Sequence, residues 1–156
     1  MRFVGVDFGR KRIGLATSDA TAMLAKAWRM VPAGATPAAS ADLVAALVRP
    51  LVADDDGVEA VVIGFPKRLD GRDSDQAPAV RVFAEALARL VDRPIAFQDE
   101  RLTSVEAEAR LAEREPDWRK RKPMIDAEAA AIILQDFLDG RARERAGGDS
   151  PEPPGE

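Results

Sequence analysis

The sequence contains no cysteine and no histidine. The first absence excludes disulfides, thiolate zinc sites and a cysteine nucleophile. The second excludes the Ser-His-Asp triad, imidazole metal ligands and the most common general base. Any catalysis by this chain must therefore use carboxylates, lysine, hydroxyl groups or a metal ion that is bound through oxygen atoms.

Long apolar segments are absent as well. No apolar run approaches the roughly 20 residues that a membrane-spanning helix needs. The first residues include only a short apolar stretch, which Asp7 interrupts, and they offer no small-residue cleavage site, so they are not typical of a signal peptide. We therefore expect a cytoplasmic protein.

The composition is that of an ordinary globular protein, with 156 residues of which 46% are hydrophobic and 32% charged. This length fits one domain with a sizeable core. We predict a single domain over residues 1–140. Residues 141–156 are predicted to hold the end of a helix and a disordered tail that is acidic and rich in proline and glycine.

The net charge of −4 argues against binding nucleic acid through overall charge. Much of the negative charge lies in the tail and in the run from Asp54 to Asp56, however, and the rest of the chain is slightly positive. Each basic cluster in that rest is either a local patch for nucleic acid or ordinary solvated surface charge. The clusters are Arg10 to Arg12, then Lys67, Arg68 and Arg72, then Arg119 to Lys122.

Apolar patterning predicts an α/β fold with five strands and four helices. The order implies a mixed five-stranded sheet that has an antiparallel hairpin, later crossover connections and helices on both faces. Pro50 is predicted to end or kink the first helix. The predicted elements are strands Arg2–Phe8, Arg12–Thr17 and Ala27–Val31, a helix from Pro37 toward Val52, a strand Val58–Gly64, a helix marked by Val80 to Leu90, a strand Pro94–Gln98, a helix Thr103–Arg114, a basic loop Glu115–Pro123, and a helix Asp126–Asp139 closed by Gly140.

Candidate catalytic carboxylates stand at the ends of two predicted strands. Asp7 lies near the carboxyl end of the first strand, where α/β sheets place their ligands, although a turn-forming aspartate is the alternative. Asp99 and Glu100 follow the strand from Pro94, and strand alternation sends their side chains to opposite faces. Only one of the two can therefore join a site with Asp7, unless both are solvated residues at a strand end.

Asp126 stands at the head of the apolar stripe of the last predicted helix. A buried, unpaired carboxylate is costly, so a cation, a partner or the helix N-terminus should neutralise it, and an N-cap role is the alternative. Three carboxylates without histidine or cysteine suit a hard cation such as Mg²⁺. Two such ions about 3.5–4 Å apart can activate water and stabilise the leaving oxygen of a phosphodiester. The stripe consists of Ala130, Ile133, Leu134 and Phe137.

Four blocks of residues together resemble the YqgF family, also called RuvX, of ribonuclease-H-like nucleases. The blocks span most of the chain ahead of the tail. They are Gly5, Asp7, Gly9, Lys11 to Gly14, Ala16, Ser18 and Asp19, then Gly64, Pro66, Asp70 and Gly71, then Asp99 to Thr103 with Glu106 and Ala107, then Asp126, Ala129, Ala130, Ile133, Leu134, Gln135 and Leu138.

The resemblance implies a ribonuclease-H-like sheet and a two-metal hydrolase that uses Mg²⁺ or Mn²⁺. By that analogy Asp7 bridges two metal ions, Glu100 holds one and Asp126 holds the other. Family members are similar to enzymes linked with maturation of the 5′ end of pre-16S ribosomal RNA, so structured RNA is the expected substrate. Relatives are also proposed to resolve four-way DNA junctions, which would require a homodimer.

Three basic residues are candidates for phosphate contacts. Lys11 and Arg12 follow Asp7 in the hairpin, and Arg101 follows Glu100. The alternative for each is a surface ion pair. A different class of function is a nucleotide-binding or purely RNA-binding protein, because the start of the hairpin also resembles the phosphate-binding start of actin-like ATPases.

Overall fold

The computed structural model describes residues 1–68, 70–100 and 103–148. Predicted site residue Arg101 and residues 149–156 of the predicted tail lie outside the described residues. The described elements are β1 Arg2–Phe8, β2 Arg12–Ser18, β3 Ala25–Pro32, α1 Pro37–Ala53, β4 Val58–Pro66, α2 Ala77–Val91, β5 Ile95–Glu100, α3 Thr103–Arg114, α4 Trp118–Arg121, a 3-10 turn Lys122–Met124, and α5 Ile125–Gly148.

The strands form one mixed sheet in the order β3-β2-β1-β4-β5. β2 pairs antiparallel with both β1 and β3, whereas β4 pairs parallel with both β1 and β5. One face of the sheet packs against α1 and α2, and the other face packs against α5. The predicted five-stranded mixed sheet with an antiparallel portion and helices on both faces is therefore confirmed.

Strand alternation decides which face receives the candidate carboxylates. Val6 of β1 and its register partner Ile63 of β4 lie in the core formed with α1 and α2. Phe3 and Val62 lie in the core formed with α5. Asp7 stands an even number of residues from Phe3, so its side chain points to the α5 face at the carboxyl end of β1.

Glycines let α5 lie directly against the sheet. A Cβ atom on Gly5 would stand 2.8 Å from Cβ of Leu134 and 2.9 Å from the carbonyl oxygen of Ala130. A Cβ atom on Gly14 would overlap the carbonyl oxygen of Asp126. Because Gly14 is the register partner of Asp7, this close approach brings the start of α5 next to Asp7.

Several element ends differ from the sequence prediction. β4 and β5 extend to Pro66 and Glu100, because their parallel pairing continues to the pair formed by these two residues. Pro50 lies inside α1 and does not end it. α2 begins at Ala77, three residues before Val80.

The segment predicted as a basic loop is partly helical. α4 covers Trp118–Arg121 and a 3-10 turn covers Lys122–Met124. The Asp117 side chain accepts a hydrogen bond from the backbone N–H of Arg119 at 3.0 Å, which satisfies a free donor of the first turn. A run without apolar periodicity thus forms a helix because a cap stabilises it.

The last helix does not close at Gly140, and that prediction was wrong. α5 continues to Gly148, because Arg141, the residue after Gly140, anchors the following turn to the sheet. The Arg141 guanidinium forms an ion pair with Glu59 at 3.0 Å and stands 4.7 Å from the ring centre of Phe3. Within the described ranges, no helix is long and apolar enough to cross a membrane.

Candidate active site

Asp7 is partly buried at the carboxyl end of β1. Its pKa is raised well above the ordinary value, first because burial removes water from the carboxylate. The nearby charge of Glu100, a hydrogen bond with Glu100 and the charge of Asp126 raise the pKa further. Asp7 is therefore a carboxyl group that holds a proton more tightly than an exposed aspartate does.

Glu100, the last residue of β5, meets Asp7 on the α5 face. Burial raises the pKa of Glu100, while the hydrogen bond that the Asp7 carboxyl group donates to it acts in the opposite direction. Gly64 on β4 leaves room for this side chain, since a Cβ atom there would stand 2.8 Å from Oε2 of Glu100. The ends of β1 and β5 thus bring two carboxyl groups into contact.

Asp99, the rival of Glu100 in the sequence, points to the opposite face. It lines an open cleft of about 370 Å³ between β5 and α2, away from Asp7. The structure therefore places Glu100, rather than Asp99, beside Asp7. The cleft is lined by Phe65, Lys67, Asp73, Arg81, Phe97 and Asp99.

Asp126 is the second residue of α5, so the alternative of an N-cap role is wrong. Its Oδ2 accepts a hydrogen bond from Nε of Arg12 at 2.9 Å, and the pair is an ion pair at the edge of the site. Asp126 is nevertheless close enough for its charge to raise the pKa of Asp7. Among the residues that the structure describes, no three carboxylates are grouped closely enough to hold a metal ion together.

Two of the candidate phosphate-binding residues, Lys11 and Arg12, lie near Asp126. Lys11 and Arg12 line an open cleft of about 300 Å³ together with Gln76 and Asp126. Arg12 is thus held in an ion pair, whereas Lys11 is exposed in the hairpin connection. The cleft therefore places Lys11 beside the Arg12–Asp126 ion pair.

Sequence reasoning missed Glu128, which is only 5% exposed. Its carboxylate forms ion pairs with Arg114 at 2.9 Å and with Arg110 at 3.4 Å. These contacts attach α3 to the first turns of α5 and so support the position of Asp126. The sequence feature that could have indicated this contact is the i, i+4 spacing of Arg110 and Arg114, which places two cations on one face of α3.

Comparison with known proteins decides the family. Residues 1–140 match the RuvX family, whose description reads Holliday junction resolvase. The chain belongs to the RuvX family. The match covers all five strands of the sheet and the three carboxylates of the candidate site.

Curated relatives extend the family match over nearly the whole chain. A protein of Pelotomaculum thermopropionicum is 38% identical, with 100% of this chain and 99% of the relative aligned. A protein of Anaeromyxobacter dehalogenans is 42% identical over 91% of this chain and 99% of the relative. Both are named "Putative pre-16S rRNA nuclease". These matches confirm the recognised family and support the predicted nuclease function.

Solved structures give the fold. The RuvC protein of T. thermophilus in complex with a Holliday junction superposes with a TM-score of 0.51 and 19% sequence identity, covering 91% of this chain and 96% of RuvC. Similarity at this level of identity shows the fold alone. It confirms the predicted ribonuclease-H-like architecture of this RuvX family member.

Proposed function

We propose that this RuvX family member is an endonuclease that hydrolyses phosphodiester bonds with the help of a divalent cation. The observation that carries the proposal is the contact between the Asp7 and Glu100 carboxyl groups at the ends of β1 and β5. No lysine or arginine of the described residues forms an ion pair with either group. Two acids in contact, with no ion-pair partner among the described residues, are an unfavourable arrangement for structure alone and a suitable one for binding a cation.

The residues present fit Mg²⁺ or Mn²⁺. The carboxylate oxygens of Asp7 and Glu100 are hard ligands of the kind that these ions prefer, and a bound cation would offset the repulsion between the two charges. Asp126 would complete the ligand set after its carboxylate leaves Arg12. When bound, such a cation activates water and stabilises the leaving oxygen of a phosphodiester.

The other polar groups have roles of their own. Asp7 and Glu100 are held at the ends of β1 and β5, on either side of β4, so their carboxylates are oriented before substrate arrives. When Asp126 leaves Arg12, the guanidinium becomes available to a phosphate oxygen, and Lys11 adds a second positive charge in the same cleft. Arg101, which follows Glu100, is the third candidate for phosphate contact.

We propose the precursor of 16S ribosomal RNA as the substrate, because the relatives are named as nucleases of this RNA. The test is cleavage of precursor RNA in the presence of Mg²⁺ or Mn²⁺. Replacing Asp7 with Asn, or Glu100 with Gln, should lower the cleavage rate by at least about 100-fold, because each removes a charged ligand at the site.

Asp99→Asn is the matched control, since Asp99 is adjacent to Glu100 in sequence but faces the other side of β5. It should keep cleavage within a few-fold of the unaltered protein. Unchanged cleavage by Asp7→Asn, or equal losses from Asp99→Asn and Glu100→Gln, would contradict the assigned site.

The family description favours a second substrate, a four-way DNA junction. The same carboxylates would carry out the same hydrolysis, but symmetrical cutting of two strands requires a two-fold dimer. Parallel assays with precursor RNA and a synthetic junction, combined with measurement of mass in solution, distinguish the two substrates. A strictly monomeric protein that cuts only RNA would rule out the junction.

A further inference from the structure

The segment Trp118–Lys122 contrasts with the acidic character of the chain. It contains four consecutive cations, the longest run of Lys and Arg in a sequence whose net charge is −4. Trp118 precedes this run and is 60% exposed, although a large aromatic side chain ordinarily contributes to a core or an interface. We call these five residues the Trp118–Lys122 surface. Neither the proposed cleavage site nor the core of the fold accounts for it.

Arg121 stabilises the segment through hydrogen bonds, whereas the other three cations are exposed to solvent. Nη1 of Arg121 donates to the carbonyl oxygens of Glu115 at 3.1 Å and Pro116 at 2.8 Å, which holds α4 against the chain that precedes it. The outward cations form no ion pair with any residue that the structure describes. They are Arg119, Lys120 and Lys122.

The aromatic ring and a cation are already arranged together. The Arg119 guanidinium stands 5.7 Å from the ring centre of Trp118, within the range of a cation–π contact. Exposed aromatic rings that alternate with cations are typical of surfaces that bind single-stranded nucleic acid, because bases stack on the rings and the cations contact phosphates.

The Trp118–Lys122 surface lies shortly before Asp126 along the chain. α4, the 3-10 turn and α5 follow one another without a gap, and the backbone is helical at the junction residues Arg121, Lys122 and Ile125. Lys122 therefore stands about one turn, and Trp118 about two turns, before Asp126. At 1.5–2.0 Å per residue, Trp118 is roughly 12–16 Å along the axis from Asp126.

We propose that the Trp118–Lys122 surface binds a single-stranded segment of nucleic acid next to the bond that is cut. Trp118 stacks on a base, while Arg119, Lys120 and Lys122 contact successive phosphates. The assignment of the partner rests on the proposed nuclease function. The chemistry of the contact rests on the exposed ring, the three outward cations and their position along the helix that carries Asp126.

Binding is tested without cleavage, with a short labelled oligoadenylate ribonucleotide in EDTA and fluorescence anisotropy at several salt concentrations. The triple variant Arg119→Ala, Lys120→Ala, Lys122→Ala should bind at least about tenfold more weakly. Its slope of log affinity against log salt should fall by about 2, since each phosphate contact contributes about 0.7 for a single strand. The matched control Arg89→Ala, Arg143→Ala, Arg145→Ala removes the same charge from exposed positions elsewhere and should retain the affinity and the slope.

Stacking is tested separately. Trp118→Ala should weaken binding about tenfold, and Trp118→Phe should recover most of the loss because it keeps an aromatic face. Oligoadenylate should quench tryptophan fluorescence in the unaltered protein and in Trp28→Phe, but not in Trp118→Phe. Circular dichroism of each variant confirms that the fold is retained before affinities are compared.

The proposal is overturned if the two triple variants lose equal affinity, or if Trp118→Ala binds as tightly as the unaltered protein. It is also overturned if polyglutamate of equal charge competes as well as oligoadenylate does, because the surface would then bind any polyanion. Asp7→Asn separates this proposal from the proposed function. Binding should be intact in that variant, so a failure of cleavage chemistry and a failure of the Trp118–Lys122 surface give different results.

Discussion

Folding makes ionisation of the Asp7 carboxyl group less favourable. Burial and the adjacent Glu100 both raise its pKa, whereas in the unfolded chain the same group titrates near the ordinary aspartate value. Between that value and the raised pKa, the folded state binds more protons than the unfolded state does. Stability contributed by this group is therefore fully present below pH 4 or so and is lost as pH rises through the raised pKa.

This linkage predicts the behaviour of Asp7→Asn in metal-free buffer. The variant cannot ionise at this position, so its stability should increase relative to that of the unaltered protein as pH rises above the ordinary aspartate pKa of about 4. Urea unfolding in EDTA at a series of pH values measures the difference. Asp55→Asn, at an exposed position, is the control and should follow the unaltered protein. A difference between Asp7→Asn and the unaltered protein that does not change with pH would contradict the linkage.

At the scale of elements, α5 is the helix that assembles the site. Its first turn carries Asp126, its buried Glu128 pairs with α3, and its middle packs on the glycines of β1 and β4. The helix also continues beyond Gly140, where Arg141 anchors it to Glu59 and Phe3. The position of α5 relative to the sheet thus sets the position of Asp126 near the Asp7–Glu100 pair.

Two glycine substitutions test this description of α5. Gly140 lies in regular helix with only Nη2 of Arg143 nearby, at 3.8 Å, so Gly140→Ala should stabilise the protein by up to about 1 kcal/mol. Gly14→Ala places a methyl group against the backbone of Asp126 and should destabilise by about 1–3 kcal/mol or more. Chemical denaturation measures both. Destabilisation by Gly140→Ala would indicate that the helix ends there after all.

How well an element could be predicted from the sequence depended on how clear its apolar pattern is. β4 was predicted because Val61, Val62 and Ile63 are continuous and both faces of the strand are covered. Apolar patterning does not predict α4, because three of its four residues are cations and capping by Asp117, rather than burial, stabilises it. The end of α5 was misplaced because a glycine is a local signal for helix termination, and the ion pair and ring contact of Arg141 lie far away in sequence.

The whole molecule is an acidic chain in which two carboxyl groups, those of Asp7 and Glu100, meet at the carboxyl ends of β1 and β5. We expect Mn²⁺ or Mg²⁺ to raise the melting temperature of the unaltered protein, because a cation that binds only the folded state stabilises it by about 2.7 kcal/mol at 100 times its dissociation constant. Asp7→Asn and Glu100→Gln should lose most of this stabilisation, while Asp99→Asn should keep it. Equal stabilisation of all four proteins would argue against cation binding at the Asp7–Glu100 pair.

By itself, the sequence determined the class of chemistry and the class of fold. The lack of cysteine and histidine leaves oxygen ligands for any metal, and apolar periodicity together with the four family blocks indicates the ribonuclease-H-like sheet. These are properties of composition and local pattern, which do not depend on which residues meet in space.

Only the tertiary structure showed that Glu100, rather than Asp99, lies beside Asp7, because strand alternation is known from the sequence but the register of β5 relative to β1 is not. It also showed that Asp126 is paired with Arg12, a contact between residues 114 positions apart. Contacts of this kind arise from register and from close approach at Gly14 and Gly64, which no local pattern specifies.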